Sequence, residues 1–244
     1  MASTGQAAVA DNQLGLLDKE RIIAPLNYNR WLVPPAALAI HLCIGMAYGF
    51  SVFWKPLQGA LLGADGKAVP ECSAAATTFG EKAAGTLQAL FTTSCNWSQF
   101  DLGWMYTLFF VLLGTSAALW GGWLERVGPR RAGVVAAFCW SGGFLISALG
   151  VYIHQLWLMW LGSGIIGGCG LGLGYISPVS TLIKWFPDRR GMATGMAIMG
   201  FGGGAMIGSP LATMLMNHYA TPTSPGVWET FITMGIIYFV FMMG

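Results

Sequence analysis

The sequence is poor in charge. Only 9% of its 244 residues are Asp, Glu, Lys or Arg, whereas a soluble globular domain carries about a quarter. That shortage argues against an ordinary water-soluble domain. The net charge of +2 is too small to indicate a nucleic-acid partner. Histidine occurs three times, and no His or Cys pair has the spacing of metal ligands. Neither a metal nor a cofactor is expected. An intramembrane enzyme would need HExxH, a GxSxG elbow with a usable His, or paired acids inside apolar segments, and none occurs. No Walker loop is present, and exchange of solutes across a membrane needs no ATP. The glycine run GGCGLGLG at 167–174 follows no strand and lies inside an apolar stretch, so it does not indicate a nucleotide fold.

Apolar residues are what the chain has in quantity: 55% are hydrophobic, and 35 are glycine. A helix needs roughly 20 apolar residues to cross the hydrocarbon core. Candidate spans fall at about 32–54, 102–124, 132–153, 156–183, 191–216 and 227–244. Each is apolar nearly all round, as expected for helices set in lipid or among other helices. The fold class is therefore an all-α membrane protein with six helices. Residues 1–30 read as a polar tail, 31–244 as the helical bundle, and 58–100 as a long loop between the first two helices. The last apolar run reaches Gly244 with no polar exit. The expectation is a chain cut short within its sixth helix, with further helices beyond it.

Basic residues set the orientation. Lys19, Arg21 and Arg30 lie in the tail, Arg126, Arg130 and Arg131 follow the second span, and Lys184, Arg189 and Arg190 follow the fourth. These three regions fall on one side, expected to be the cytoplasm. The opposite side holds Lys55, Lys67 and Lys82 across a long stretch, together with Cys72 and Cys95, a candidate disulfide in an oxidising exterior. Asn96-Trp97-Ser98 matches the glycosylation triplet. Cys43, Cys139 and Cys169 lie in apolar spans and read as small hydrophobes.

Small residues recur at helical spacing. Gly164, Gly168 and Gly172 form one stripe, Gly200, Gly204 and Gly208 a second, and Gly45 and Gly49 a third. Such stripes let helix backbones approach closely. On the first span His41, Tyr48 and Lys55 are spaced by sevens, with Ser51 between. A straight helix drifts about 20° per heptad, so the spacing predicts one shared face, directed at a cavity.

Two charged connectors carry the most information. The first is GGWLERVGPRR, with Gly121, Glu125, Arg126, Gly128, Arg130 and Arg131 at set spacing. It resembles the signature between the second and third helices of the major facilitator superfamily, with Glu125 where that signature usually has Asp. A carboxylate there pairs with basic groups and ties helix ends together. The second is KWFPDRRGMATG, residues 184–195. It resembles the corresponding segment of the oxalate/formate antiporter family, a branch of that superfamily. Pro187 is expected to end the fourth helix, Asp188 to cap the fifth, and Arg189 and Arg190 to anchor the connector.

The resemblance covers most of residues 30–216, with the loop at 58–100 longer than in the founding oxalate exchanger. It implies the N-terminal half of a twelve-helix transporter in a bacterial inner membrane, with the substrate site between two six-helix halves. The missing C-terminal half would be its partner, alongside membrane lipid and a small carboxylate substrate. Oxalate, formate, pyruvate and lactate are the candidates. The resemblance also implies cavity roles for Tyr48, Tyr175 and Phe201. His41 and Ser51 join them from the spacing argument. The six spans hold no Arg or Lys near their centres, so this half offers aromatic and hydroxyl walls without the main compensating charge. A non-transporting structural or sensory subunit is the alternative.

The orientation can be checked directly. A single cysteine introduced in the 126–131 connector should react with an impermeant maleimide only after cells are permeabilised. Labelling in intact cells would reverse the assignment.

Overall fold

The computed structural model describes residues 15–18, 23–25, 27–63 and 67–244. Most of the expected tail, including Lys19 and Arg21, lies outside the described residues. Seven helical elements occur among them: α1 (Arg30–Gln58), α2 (Phe79–Phe91), α3 (Gln99–Val127), α4 (Pro129–Tyr152), α5 (Leu156–Trp185), α6 (Pro187–Tyr219) and α7 (Val227–Met243). Five of these, α1, α3, α4, α5 and α6, are long and apolar enough to cross a bilayer, and α7 is an apolar helix of 17 residues. Among the described residues there is no strand, only isolated bridges. The fold is thus the all-helical membrane class expected from the six apolar runs.

Helices α4 and α5 form the centre. Helix α4 packs against α7 and α5, while α5 also meets α3 and α1, and α6 lies along α1. The glycine stripes sit at these crossings. A Cβ on Gly204 of α6 would lie 2.6 Å from the Cα of Gly45 on α1. One on Gly168 would stand 2.7 Å from the Phe109 carbonyl of α3, and one on Gly170 2.6 Å from the Trp140 nitrogen of α4. Real Cβ atoms do not come so close. Hydrogen at these positions lets the backbones touch, which maximises dispersion contact where lipid offers no hydrophobic drive.

Three of the helices are irregular. Helix α1 is α-helical over Val33–Ile44, turns at Gly45, and tightens to a 3-10 segment at Phe50–Phe53 before Trp54–Gln58. The Tyr106 hydroxyl of α3 donates to the Ala47 carbonyl at 2.7 Å, a second bond to an acceptor that the Phe50 N–H also meets. Helix α5 passes from an α-helical turn at Leu156–Met159 into a π segment at Trp160–Ile166, and contains Pro178. Helix α6 contains Pro210. Each proline removes a backbone donor from its ladder.

The segment between α1 and α3 is more ordered than a long loop. It holds α2, which starts with a capping box in which the Thr78 hydroxyl accepts from the Glu81 N–H and the Glu81 carboxylate accepts from the Thr78 N–H. Backbone N–H groups of Thr78 and Thr77 hold the Glu81 carboxyl below its ordinary range. Cys72 and Cys95 are disulfide-bonded, with Cα atoms 5.0 Å apart and 23 residues of separation. Closing a loop of that size removes about 3 kcal/mol of chain entropy from the unfolded state. Cys43, Cys139 and Cys169 are free thiols.

Asn96 is fully buried. Its Oδ1 accepts from the Leu61 N–H at 2.8 Å, and its Nδ2 donates to the carbonyls of Leu61 and Val69 at 2.9 and 2.8 Å. The glycosylation triplet read in the sequence is therefore a structural asparagine with no free amide for a glycan. Trp97 is also fully buried and stacks on His154 at 4.5 Å and 7°. His154, in the α4–α5 connection, has φ 52 and bonds the Cys95 carbonyl through Nε2 at 2.9 Å. Thr86 of α2 donates to Asp101, whose carboxylate also caps α3 through Ser98. These contacts bind the segment into a cap over one end of the bundle.

Burial holds the His154 imidazole below its ordinary value, opposed by its bond to Cys95. The folded cap therefore favours the neutral ring. That contribution is whole above about pH 6.5, where the unfolded ring is also neutral, and is lost as pH falls below it. Thermal unfolding in detergent should show a lower midpoint at pH 5.5 than at pH 7.5, and His154→Gln should shrink the difference.

Candidate functional site

Two groups of residues stand out, one midway along α1, α5 and α6, the other at the basic end of the bundle. The break in α1 positions the first. It turns Tyr48 outward, so that the side chain is 55% exposed while its neighbours Ala47 and Gly49 are buried. The Tyr48 ring meets Phe201 of α6 at 4.8 Å, and Phe201 meets Tyr175 of α5 at 5.2 Å. Tyr175 stacks on His41 at 5.5 Å and 19°, and His41 also meets Phe201 at 6.2 Å. Aromatic centroids at 4.5–7 Å attract each other through their quadrupoles and through buried area. The rings run as a continuous wall from the exposed flank of α1 into the bundle.

Four of the five residues assigned to the site from sequence are thus brought together. Ser51 stands apart, exposed on the 3-10 segment of α1. His41 and Tyr48 both meet Phe201, but burial differs along the heptad series of His41, Tyr48 and Lys55. His41 is fully buried, whereas Tyr48 and Lys55 are exposed. Helices α5 and α6 cover His41 through Tyr175 and Ala197, and the 3-10 segment at Phe50–Phe53 lies beyond Tyr48, so its tighter winding of three residues per turn affects only the positions after it.

His41 makes two polar contacts. Its Nδ1 faces the Ala197 carbonyl of α6 at 2.8 Å and its Nε2 faces the Tyr175 carbonyl of α5 at 3.2 Å. A neutral imidazole carries one N–H and can donate to one carbonyl at a time, while an imidazolium donates to both. The Lys and Arg side chains of the apolar helices stand near the helix ends, with Lys55 seven residues beyond Tyr48.

At the basic end, Gly128 joins α3 to α4 with φ 88, a conformation that L side chains rarely adopt. Gly121, one residue type in the same motif, faces Ile176 of α5 across 3.5 Å measured from an ideal Cβ. Glu125 pairs with Lys184 and accepts from the Ser180 hydroxyl at 3.2 Å, linking the ends of α3 and α5. Arg126 turns back onto the Gly122 carbonyl of its own helix at 3.2 Å. Arg130 and Arg131 reach the chain before α1: Arg130 donates to the Leu16 carbonyl at 3.2 Å, and Arg131 to the Leu17 carbonyl at 3.1 Å and to Asp18.

Asp188 does not cap the α-helical part of α6, Arg190–Tyr219. It lies in the 3-10 turn Pro187–Arg189 that opens α6, and the residue at the cap of the α-helical part is Arg189, with no side-chain bond to the helix. Instead Asp188 receives both guanidinium nitrogens of Arg30, at 2.9 and 3.1 Å, with Arg189 at 3.8 Å. A planar fork facing two carboxylate oxygens wins over a weaker neutral cap bond. Arg30 also lies over Phe186 at 4.9 Å, and Trp31 meets that ring at 5.2 Å. Arg190 opens the α-helical part of α6. Sequence reasoning expected Glu125 to pair with a basic group but did not name Lys184, and it missed the Arg30–Asp188 pair and Tyr106. The Arg30–Asp188 and Lys184–Glu125 pairs join residues 158 and 59 positions apart, beyond the reach of any local pattern. A tyrosine inside an apolar span was the available signal for Tyr106.

The model of the Major Facilitator Superfamily matches residues 72–243. An uncharacterised MFS-type transporter of Escherichia coli strain K12 is 25% identical over 217 residues, 88% of this chain and 43% of the relative. Apicoplast pyruvate carrier 1 of Toxoplasma gondii is 33% identical over 121 residues, 48% of this chain and 21% of the relative. Monocarboxylate transporter 13 of Bos taurus is 30% identical over 95 residues, 39% of this chain and 22% of the relative. The matched part of the chain spans less than half the length of each of these relatives.

The Glu125–Lys184 side chains are about half exposed, and such pairs contribute about 0–1 kcal/mol. Glu125→Lys should leave thermal stability within about 1 kcal/mol yet separate the α3 and α5 ends. Spin labels at positions 127 and 185 should report a longer distance. Adding Lys184→Glu should restore it.

Proposed function

The chain belongs to the major facilitator superfamily, and from that premise we propose that it forms part of a secondary active transporter of small carboxylate anions working by alternating access. The observation that carries the proposal is the aromatic wall. Tyr48, Phe201, Tyr175 and His41 come from three helices and run from an exposed flank into the bundle. A tyrosine hydroxyl donates to a carboxylate oxygen, and flat rings confine a small planar anion. Ser51 stands exposed about one turn beyond Tyr48 on the same helix.

Substrate class draws on two kinds of support. The connector KWFPDRRGMATG resembles the oxalate/formate antiporter family, and the relatives above include proteins named as pyruvate and monocarboxylate carriers. Both point to small organic anions: oxalate, formate, pyruvate or lactate. A carboxylate in a low dielectric needs a compensating charge, and the lysines and arginines here stand near helix ends. We assign that charge to a second six-helix half facing the Tyr48 flank. The basic end, with Glu125–Lys184 and Arg30–Asp188, would lie in the cytoplasm by the positive-inside rule and act as the set of contacts that parts when the protein changes state. The membrane would be a bacterial inner membrane.

Proteoliposomes holding the full-length protein provide the test. Labelled pyruvate, lactate, oxalate and formate should be offered separately, and at least one should be taken up. Tyr48→Phe and Tyr175→Phe should each lower kcat/KM by about tenfold, the loss of one hydrogen bond to a charged group. Uptake of none of the four would overturn the assignment.

A further inference from the structure

We propose that α2 is a membrane-surface helix. It lies flat at the end of the bundle opposite the basic connectors, with Leu87 and Phe91 set into the boundary between lipid headgroups and acyl chains. The placement does not depend on what the protein transports.

The 13 residues of α2 divide into three faces. Thr86 and Ala89 are buried on the first, which half-buried Lys82 borders. This face packs on the start of α3 and the first turn of α5, and Thr86 donates to the buried Asp101. The second face is apolar. At about 100° per residue, Phe79, Leu90, Ala83, Leu87, Phe91 and Ala84 follow one another around an arc of about 140°. Phe79, Leu87 and Phe91 are 67, 67 and 75% exposed. The third face is polar, with Gln88 and Glu81 exposed beyond the end of that arc. Gly85 closes the circle against the segment that carries Cys72, where a Cβ would stand 2.8 Å from the Ser73 Cβ.

A contiguous apolar face marks a surface that something covers, and α3 shows what covers this one. Trp104, Thr107, Val111, Thr115 and Ala118 are exposed and recur at helical spacing. They form the stripe that this spanning helix turns away from the bundle, toward lipid. Trp104 heads the stripe near the start of α3, the depth at which tryptophan is enriched at membrane boundaries. Phe79 rests on that head. Its ring is 5.7 Å from Phe100 and 6.5 Å from Trp104, and those two are 6.2 Å apart. The apolar arc of α2 therefore continues the lipid-facing stripe of α3, and the polar face turns to water. Bundle, lipid and water each meet the side whose chemistry suits it. Helices of this kind sink their apolar face about 5–10 Å into the headgroup–acyl boundary. The exposed arc carries no Lys or Arg, so the partner is that apolar boundary and not anionic charge. Cys95 follows α2, and its bond to Cys72 carries the anchorage into the cap formed with Trp97 and His154.

Spin labels test the placement. Full-length protein has its free thiols Cys43, Cys139 and Cys169 replaced by alanine while Cys72–Cys95 stays bonded. Leu87→Cys, Gln88→Cys and Phe91→Cys each receive a nitroxide, and each variant is placed in phosphatidylcholine nanodiscs. Collision with oxygen, which partitions into lipid, is compared with collision with a water-soluble nickel chelate. The oxygen-to-chelate ratio should be several-fold higher at 87 and 91 than at 88. Equal ratios at the three positions mean that α2 stands in water, and overturn the proposal. Slow collision with both reagents at 87 and 91 means that protein, whether a second copy or another chain, covers the face, and overturns it too. A second measurement keeps every native cysteine. Lipid methylene protons should show cross-relaxation with the Leu87 methyl groups, and its absence in the folded protein overturns the proposal without any substitution.

Discussion

Hydrocarbon offers no hydrogen bonds, so every backbone N–H and C=O within it must find a partner in the protein. That constraint makes the chain helical, and it makes each departure from a regular helix visible as a side-chain contact. At the irregular stretch of α1 the Phe50 N–H bonds the Ala47 carbonyl, and Tyr106 reaches across from α3 to the same oxygen. His41 sits just before the same break and faces carbonyls on α5 and α6. The irregular stretch of α1 is where Tyr48 leaves the buried side.

Backbone contact is the second requirement. Glycines at the α1–α6, α3–α5 and α4–α5 crossings bring main chains within reach of each other. Packing of this kind has little directional preference along the helix axes, unlike interdigitated large side chains. Direction comes instead from the two ends. At the basic end, exposed ion pairs join α1 to α6 and α3 to α5. Each is worth little in stability. At the other end the disulfide, Asn96 and the Trp97–His154 stack make a fixed cap. One end is held by polar bonds in water, the other by a covalent tie and a buried core.

Much of this was legible in the residues. The apolar runs located the long helices to within a few positions, because lipid exposure leaves little freedom in composition. The spacing in GGWLERVGPRR and KWFPDRRGMATG marked the connectors, since Gly128 must adopt a positive φ and Pro187 cannot continue a helix. The aromatic residues of the wall were also identifiable. Other features were hidden. Asp188 read as a helix cap, the local role its position suggests, and was taken instead by Arg30. The stretch at 58–100 read as an open loop, yet it contains α2 and a buried asparagine. Asn96-Trp97-Ser98 has the same letters whether exposed or buried, and only its three amide bonds distinguish the two.

By itself, then, the sequence determined the class of solvent, the helices, the charged end and the residues from which a site could be made, because these depend on composition and on contacts within a few positions. The tertiary structure alone decided which carboxylate meets which cation, that His41 turns inward while Tyr48 turns outward, and that both nitrogens of one imidazole face carbonyls on different helices. Those outcomes depend on where α5 and α6 meet α1 and on how the helix ends are brought together. Both are set by packing among segments more than a hundred residues apart in the chain, about which local spacing carries no information.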